Sequence, residues 1–334
     1  MQPTDRRSPI STKANQNKFR QKRTGNPPAS ALAKQSRKNT DKEVIFKAAW
    51  GSGPEDVGHK LPENGAPEGP MSFFVAPDGG IFILDQVNKR MIHVKDHKAD
   101  KTISIGSDTF QDIAVTSSGD IALLDRLAGK KVDVLEPDGN LVSSLPIEGK
   151  GVPEGGGVTG LFVKDNGIWV EDEHARLVRI ADAHGVPDPN RPSILGRPSL
   201  DGSMNILARI EHPRGVVLQI RSTDNPGEES VASVTFASRI SFLVELATDR
   251  IPRIFLAARL MDIDDAPPYR VRGVHNVVVV LDRTGKEITR LSLPAPGRDV
   301  DEEQFKSIRI GPDGSIYQLL FSSNGIVLTR WEIP

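Results

Sequence analysis

The chain has 334 residues, no cysteine, and a formal net charge of −1, with 43 basic residues against 44 acidic ones. The lack of cysteine excludes disulfides, thiolate metal sites and cysteine nucleophiles. The near-neutral total hides an asymmetry: residues 1–42 hold eleven Lys or Arg against Asp5 and Asp41, a local charge of +9, and the remainder carries −10.

The first segment, residues 1–42, is rich in Gln, Asn, Ser and Pro, with Ile10, Phe19 and Leu32 as its large apolar residues. So little apolar surface cannot offset roughly 1–2 kcal/mol of backbone entropy per residue, and the segment reads as a disordered basic arm. Arg6-Arg7, Lys18, Arg20, Lys22-Arg23 and Arg37-Lys38 would attract a nucleic acid or an anionic surface. Without interleaved aromatics or an amphipathic apolar face, the arm disfavours both partners. No stretch reaches the roughly 18 apolar residues of a membrane span. No apolar core of a secretory signal is visible either, so the expectation is a soluble protein of undecided compartment.

From residue 43 to 334 the pattern is all β. A strand-like run at 44–50 comes first. Strands follow in groups: 72–76, 81–85, 91–94 and 102–105, then 112–115, 121–124, 132–135 and 141–145, then 160–163, 168–171, 177–180 and 193–195. A fourth group has an inner strand near 197–200 followed by 204–210, 216–221 and 231–236. The fifth is 241–246, 253–260, 277–281 and 287–293. The last, 305–310, 315–320 and 326–332, stops at three strands.

A turn unit punctuates these groups. It reads Pro77-Asp78-Gly79-Gly80-Ile81 with Asp85 at the strand end, and returns as Ser118-Gly119-Asp120-Ile121 with Asp125. It recurs as Asp165-Asn166-Gly167-Ile168 with Asp172, and as Pro312-Asp313-Gly314-Ser315-Ile316. Repetition over a few tens of residues predicts a repeat architecture. If 44–50 supplies the missing strand, six four-stranded antiparallel blades close into a β-propeller and the open sheet edges vanish. A β-sandwich would need fewer strands per domain, and a parallel β-helix would need shorter, more regular coils.

Residues 46–94 resemble an NHL-type repeat, beginning at Phe46-Lys47-Ala48-Ala49-Trp50-Gly51-Ser52-Gly53 and continuing through Pro70–Gly79 and Ile81–Val94. The likeness weakens beyond about residue 180 and returns over 277–293 and 305–331. It implies the propeller fold and a turn in which Asp85 pairs with Arg90, with Asp125 and Arg126, and Asp172 and Arg176, as looser copies. NHL-type and related propellers include protein-binding, RNA-binding, lyase and lactonase members.

Asp85, Asp125 and Asp172 occupy one repeated position, so they read as turn-capping residues with Arg90, and no catalytic residue is assigned. The seven histidines show no helical zinc spacing. Long loops at 51–69, 149–157, 182–192 and 294–303 are expected on one face, where Glu55, Asp56, Glu63, Glu68, Glu154, Asp299, Asp301, Glu302 and Glu303 form an acidic rim. The main expectation is a non-catalytic binding or scaffold propeller that presents this rim to a protein or a small polar partner. The alternative is a calcium-dependent lactonase- or esterase-like, or lyase-like, propeller enzyme. Asp112, Glu245 and Gln304 are the oxygens that approach the channel, too few for the six to eight that calcium needs, though calcium stays the one ion admitted.

Overall fold

A computed structural model describes residues 41–164, 167–225, 227–264, 266–294 and 303–333. The basic arm expected over residues 1–42 lies, through residue 40, outside the described residues. The first strand, β1 (Lys42–Ala49), begins inside that expected boundary.

Six four-stranded antiparallel sheets follow. Blade 1 is β2 (Ser72–Val75), β3 (Ile81–Asp85), β4 (Arg90–Lys95) and β5 (Lys98–Ser104). Blade 2 is β6 (Asp112–Val115), β7 (Ile121–Asp125), β8 (Lys131–Leu135) and β9 (Leu141–Pro146). Blade 3 is β10 (Val158–Lys164), β11 (Gly167–Asp172), β12 (Arg176–Asp182) and β13 (Ser193–Leu195). Blade 4 is β14 (Arg197–Pro198), β15 (Met204–His212), β16 (Gly215–Ser222) and β17 (Glu229–Thr235). Blade 5 is β18 (Arg239–Thr248), β19 (Ile254–Ile263), β20 (Val271–Leu281) and β21 (Glu287–Leu293). Blade 6 is β22 (Ile308–Ile310), β23 (Ile316–Ser322) and β24 (Gly325–Trp331), completed on its outer edge by β1.

Burial explains the residue choice in each position. The second strands are mostly buried, although β15 emerges at its C-terminal end, and β7 reads Ile-Ala-Leu-Leu-Asp with every residue buried. The outer strands face water on one side, and Lys98 and Lys101 of β5 are exposed there. Gly79, Gly119 and Gly314 sit at φ +87, +92 and +82, where a side chain is disfavoured, so the repeated turn needs its glycine.

β1 pairs with β24 from Lys42↔Trp331 to Ala49↔Gly325, with one irregularity between Val44 and Phe46. The ring is therefore closed by the N-terminal strand. At Gly325 an added Cβ would stand 1.9 Å from the Ala48 carbonyl oxygen, so only glycine lets β1 lie down. Apolar clusters fill the interfaces of blades 6 and 1, 1 and 2, 2 and 3, 4 and 5, and 5 and 6. Among the described residues none of these clusters spans blades 3 and 4. That junction carries the Arg197–Glu171 ion pair, beside a backbone hydrogen bond from Gly196 N–H to Ala175 O at 2.7 Å.

Candidate functional site at the channel axis

One hairpin hydrogen bond recurs and aligns the blades: Ala76 N–H to Gly80 O, Thr116 to Asp120, Asp249 to Arg253 and Gly311 to Ser315. Four residues before each donor stand Ser72, Asp112, Glu245 and Ser307. Two residues before stand Phe74, Ala114, Ala247 and Arg309. In blade 4 the equivalent bond runs from Ser199 N–H to Met204 O, which puts Arg197 in the same position as Arg309. Residues two apart on a strand share a face, so these positions converge on the channel.

The convergence is a buried network of three carboxylates and three cations. Arg309 reaches from blade 6 to Asp112 of blade 2, with Nη2 2.5 Å from Oδ1. On the way its Nε donates to Phe73 O at 2.9 Å. Asp112 also accepts from Ser72 Oγ at 2.6 Å and from the Leu161 N–H at 3.0 Å. Arg197 donates to both oxygens of Glu171, at 2.8 Å for Nη2 to Oε2, and through Nη1 to Glu245 Oε1 and Leu246 O. Arg309 Nη1 lies 3.6 Å from Glu245 Oε2, an oxygen with no hydrogen-bond partner among the described residues. Lys306 is 2 % exposed and completes the set.

Burial alone would raise the carboxyls. Burial is opposed by the Arg197 charge, joined by Lys306 and Arg309 at Glu245 and by the Arg197 and His174 hydrogen bonds and Lys306 at Glu171. Together these hold Glu245 below the ordinary glutamate range and Glu171 well below it. Burial lowers the Lys306 ammonium, and Arg197 and Arg309 push the same way against the pull of Glu245 and Asp112. Sequence reasoning named Asp112 and Glu245 but missed Glu171, Arg197, Lys306 and Arg309. The alignment of the hairpins was the available signal for the arginines; Glu171 reaches the axis from a second strand, opposite Gly160, which the repeat does not mark. Gln304 does not join the network, and its amide donates to Leu319 O at 3.4 Å.

A half-exposed histidine borders the network. His174 Nδ1 is 3.2 Å from Glu171 Oε2, and the Thr159 hydroxyl donates to that same oxygen at 2.8 Å. The Thr159 hydroxyl in turn accepts the His174 backbone N–H at 3.0 Å. His174 and Glu173 hold φ of +54 and +51, a left-handed turn that non-glycine residues seldom adopt. Glu171, His174, Arg197, Ala208 and residues 243–246 line a cleft with a cavity of about 10 Å³ at the junction of blades 3, 4 and 5.

The repeated acidic turns lie outside this network. Asp85 accepts from the Gly58 N–H at 2.8 Å, Asn88 at 3.0 Å and Arg90 at 2.8 Å. Asp125 accepts from Thr109 and the Ala128 N–H, while Arg126 turns away to Gly156 O. Asp172 takes Arg176 at 3.0 Å. Replacing Asp85 with Ala strands buried donors, and we expect a loss of roughly 1–3 kcal/mol by urea denaturation.

Of the expected rim, Glu55, Glu63, Glu154 and Glu303 are exposed, and Glu68 and Glu303 are brought together by a parallel bridge. Asp56 is a turn residue whose side chain accepts the Gly53 N–H at 3.2 Å. Asp299, Asp301 and Glu302 lie outside the described residues. Among the described residues no three His, Asp or Glu side chains group to hold a metal, and no helix is long and apolar enough to cross a membrane. The axial donors do not fit calcium: each carboxylate already faces a cation, and three positive charges share the space.

No family model matches this chain, and no curated protein matches it. Among solved structures it is similar to Kuenenia stuttgartiensis hydrazine synthase, with 13% identity, 77% of this chain and 76% of that chain covered, and a TM-score of 0.51. A streptogramin B lyase matches at 10% identity over 89% and 98% of the two chains, with a TM-score of 0.43. A gluconolactonase from Xanthomonas campestris matches at 13% identity over 92% and 94%, also at 0.43. The fold is shared. None of these likenesses singles out the NHL-type repeat.

They do overturn one expectation. The expectation of a non-catalytic binding or scaffold propeller, with catalysis disfavoured, is corrected: the same fold occurs in a solved hydrazine synthase structure, so the fold gives no ground for disfavouring catalysis. The physical reason lies at the axis: reading inner strands alone counted three scattered oxygens, whereas folding assembles six acidic and basic side chains there, with His174 at their border.

Proposed function

We propose that this chain is an enzyme that acts at the junction of blades 3, 4 and 5 by metal-independent acid–base chemistry on a small polar ester, lactone or related carbonyl substrate. The observation that carries the reading is His174, pinned by buried Glu171, which is itself held ionised by Arg197. With Nδ1–H donated to Glu171, Nε2 is left as the base and faces no partner among the described residues. It takes a proton from the substrate carbon or from an attacking water, and returns it to the leaving oxygen. Glu171 orients the ring and stabilises the imidazolium that forms.

The NHL-type resemblance belongs to this reading, since that class of propeller includes lyases. The acidic loops around Glu68 and Glu303 would form the approach to the site, and the basic segment before Lys42 is read as separate from it.

The test is a panel of small lactones and esters, including esters that can eliminate, assayed with and without a chelator. Turnover should survive chelation and fall about 10²–10⁴-fold in His174→Gln. Turnover lost on chelation, unchanged in His174→Gln, or absent for every member of the panel would sink the reading.

A further inference from the structure

Blade 5 projects beyond the ring. Its strands β18, β19 and β20 run for 10, 10 and 11 residues, against 4, 5 and 6 for β2, β3 and β4 of blade 1. β21 stops opposite Asn276, so residues 271–275 of β20 extend past the outer strand. Between this projection and the β15–β16 turn of blade 4 lies a cavity of about 120 Å³, whose wall includes Arg214, Ser238, Arg239, Asp262, Asp264 and Arg272. Backbone hydrogen bonds tie its two sides together. The Phe236 N–H donates to Arg214 O at 2.8 Å and the Ile240 N–H to Pro213 O at 2.7 Å, on either side of residues 237–239. Both aspartates are engaged. Arg272 grips Asp264 through Nε to Oδ1 and Nη2 to Oδ2, each at 2.8 Å. Asp262 Oδ1 accepts the Ser238 hydroxyl, and its other oxygen stands 3.7 Å from His275 Nδ1. Arg239, by contrast, has no side-chain hydrogen bond or ion pair among the described residues.

We propose that this cavity binds a small aliphatic carboxylate, with Arg239 as its anchor. A guanidinium presents a planar fork of donors that matches a carboxylate in two parallel hydrogen bonds. The wall holds three arginines and two aspartates, one positive charge in excess, on a body that carries −10 outside residues 1–42. A monoanion balances that excess. A dianion such as phosphate would leave negative charge over beside Asp262 and Asp264. Ala237, Met261 and Ile263 complete the lining and give the ligand an apolar side to rest on. Roughly 10–15 Å³ admits one water, so the cavity has room for a ligand of about five heavy atoms, such as propionate. The site shares no lining residue with the His174 cleft, and it does not depend on the chemistry proposed there.

The experiment labels the methionine methyl groups of the full chain with carbon-13 and follows them by NMR during titration with sodium propionate, with sodium chloride at matched ionic strength as the control. Met261→Leu identifies the Met261 signal. That signal should move saturably with propionate, while those of Met71, Met91 and Met204, which lie outside the cavity, stay in place. Arg239→Gln should weaken the response by about 10–100-fold, the factor that a hydrogen bond to a charged group supplies. A parallel titration with inorganic phosphate should give weaker binding than propionate. No movement of Met261, the same movement with chloride alone, native affinity in Arg239→Gln, or tighter binding of phosphate overturns the proposal.

Discussion

Deleting residues 42–50 abolishes cooperative unfolding of the propeller, whereas deleting residues 1–40 leaves its melting temperature nearly unchanged. β1 is the outer strand of blade 6, and without it β24 becomes an open edge. The loss goes beyond the ladder. Phe46 is buried in a cluster with Phe73, Tyr317 and Leu328, and Ile45, Ala48 and Trp50 pack against it. Trp50 also meets Phe321 edge-on at 5.6 Å between ring centres and donates its indole N–H to Ser322 O at 2.9 Å. Burying each large apolar side chain contributes about 1.5–3 kcal/mol. Removing several of them takes away most of a total stability of about 5–15 kcal/mol. Differential scanning calorimetry with size-exclusion chromatography reads the outcome. A deletion of 42–50 that melts like the full chain would show that closure by β1 is dispensable.

Replacing Arg197 with Met should destabilise the fold by about 3–5 kcal/mol, because it leaves two buried carboxylates without their guanidinium. Glu171 is 1 % exposed at its side chain and Glu245 4 %, so water cannot take over the role of Arg197. The pH dependence should change sign. In the native chain both carboxyls are held below the ordinary value of 4.5. Their contribution is present above that unfolded value and lost as pH falls through the folded one. In Arg197→Met burial, the largest single influence on both groups, is opposed only by Lys306 and Arg309 at Glu245 and by His174 and Lys306 at Glu171, and both carboxyls rise. The variant is then least penalised when they are protonated, and loses stability as pH rises through the ordinary value. Urea melts at several pH values test this. Adding Glu171→Gln and Glu245→Gln to Arg197→Met should recover much of the loss and flatten the pH profile. An Arg197→Met chain with native stability and native acid dependence would mean that the network is not closed by this arginine.

Much of the scaffold was legible because strands announce themselves locally. Gly79, Gly119 and Gly314 repeat a turn that requires positive φ, and the apolar runs between them are strands buried on both faces. Even the missing strand of blade 6 was visible, as Val44 to Trp50 has no other partner near it in sequence. Boundaries were less legible. β22 is three residues long where six were expected, since Phe305 and Lys306 leave the ladder to bond Met71 O. β18 and β20 run past their expected ends, because blade 5 hairpins continue beyond the apolar stretch.

The candidate site was mostly invisible for a different reason. Glu171 and Arg197 are 26 residues apart, and Arg309 and Asp112 are 197 apart. Nothing in the spacing links them, and their neighbours in sequence look like ordinary strand residues. His174 was counted only as one of seven histidines, because its meaning depends on the Glu171 oxygen beside it.

Taken by itself, the order of residues determines the strands, the repeated turns, the closing role of the N-terminal strand and the uneven charge of the chain. These follow from local conformational preference and from period-two burial, which act over a few residues. The tertiary structure alone decides that an Arg197–Glu171 ion pair joins blades 3 and 4, that Glu171 faces both Arg197 and His174, and that Lys306 is buried. Each of these depends on desolvation and on distances between blades, quantities that exist only once the ring has closed.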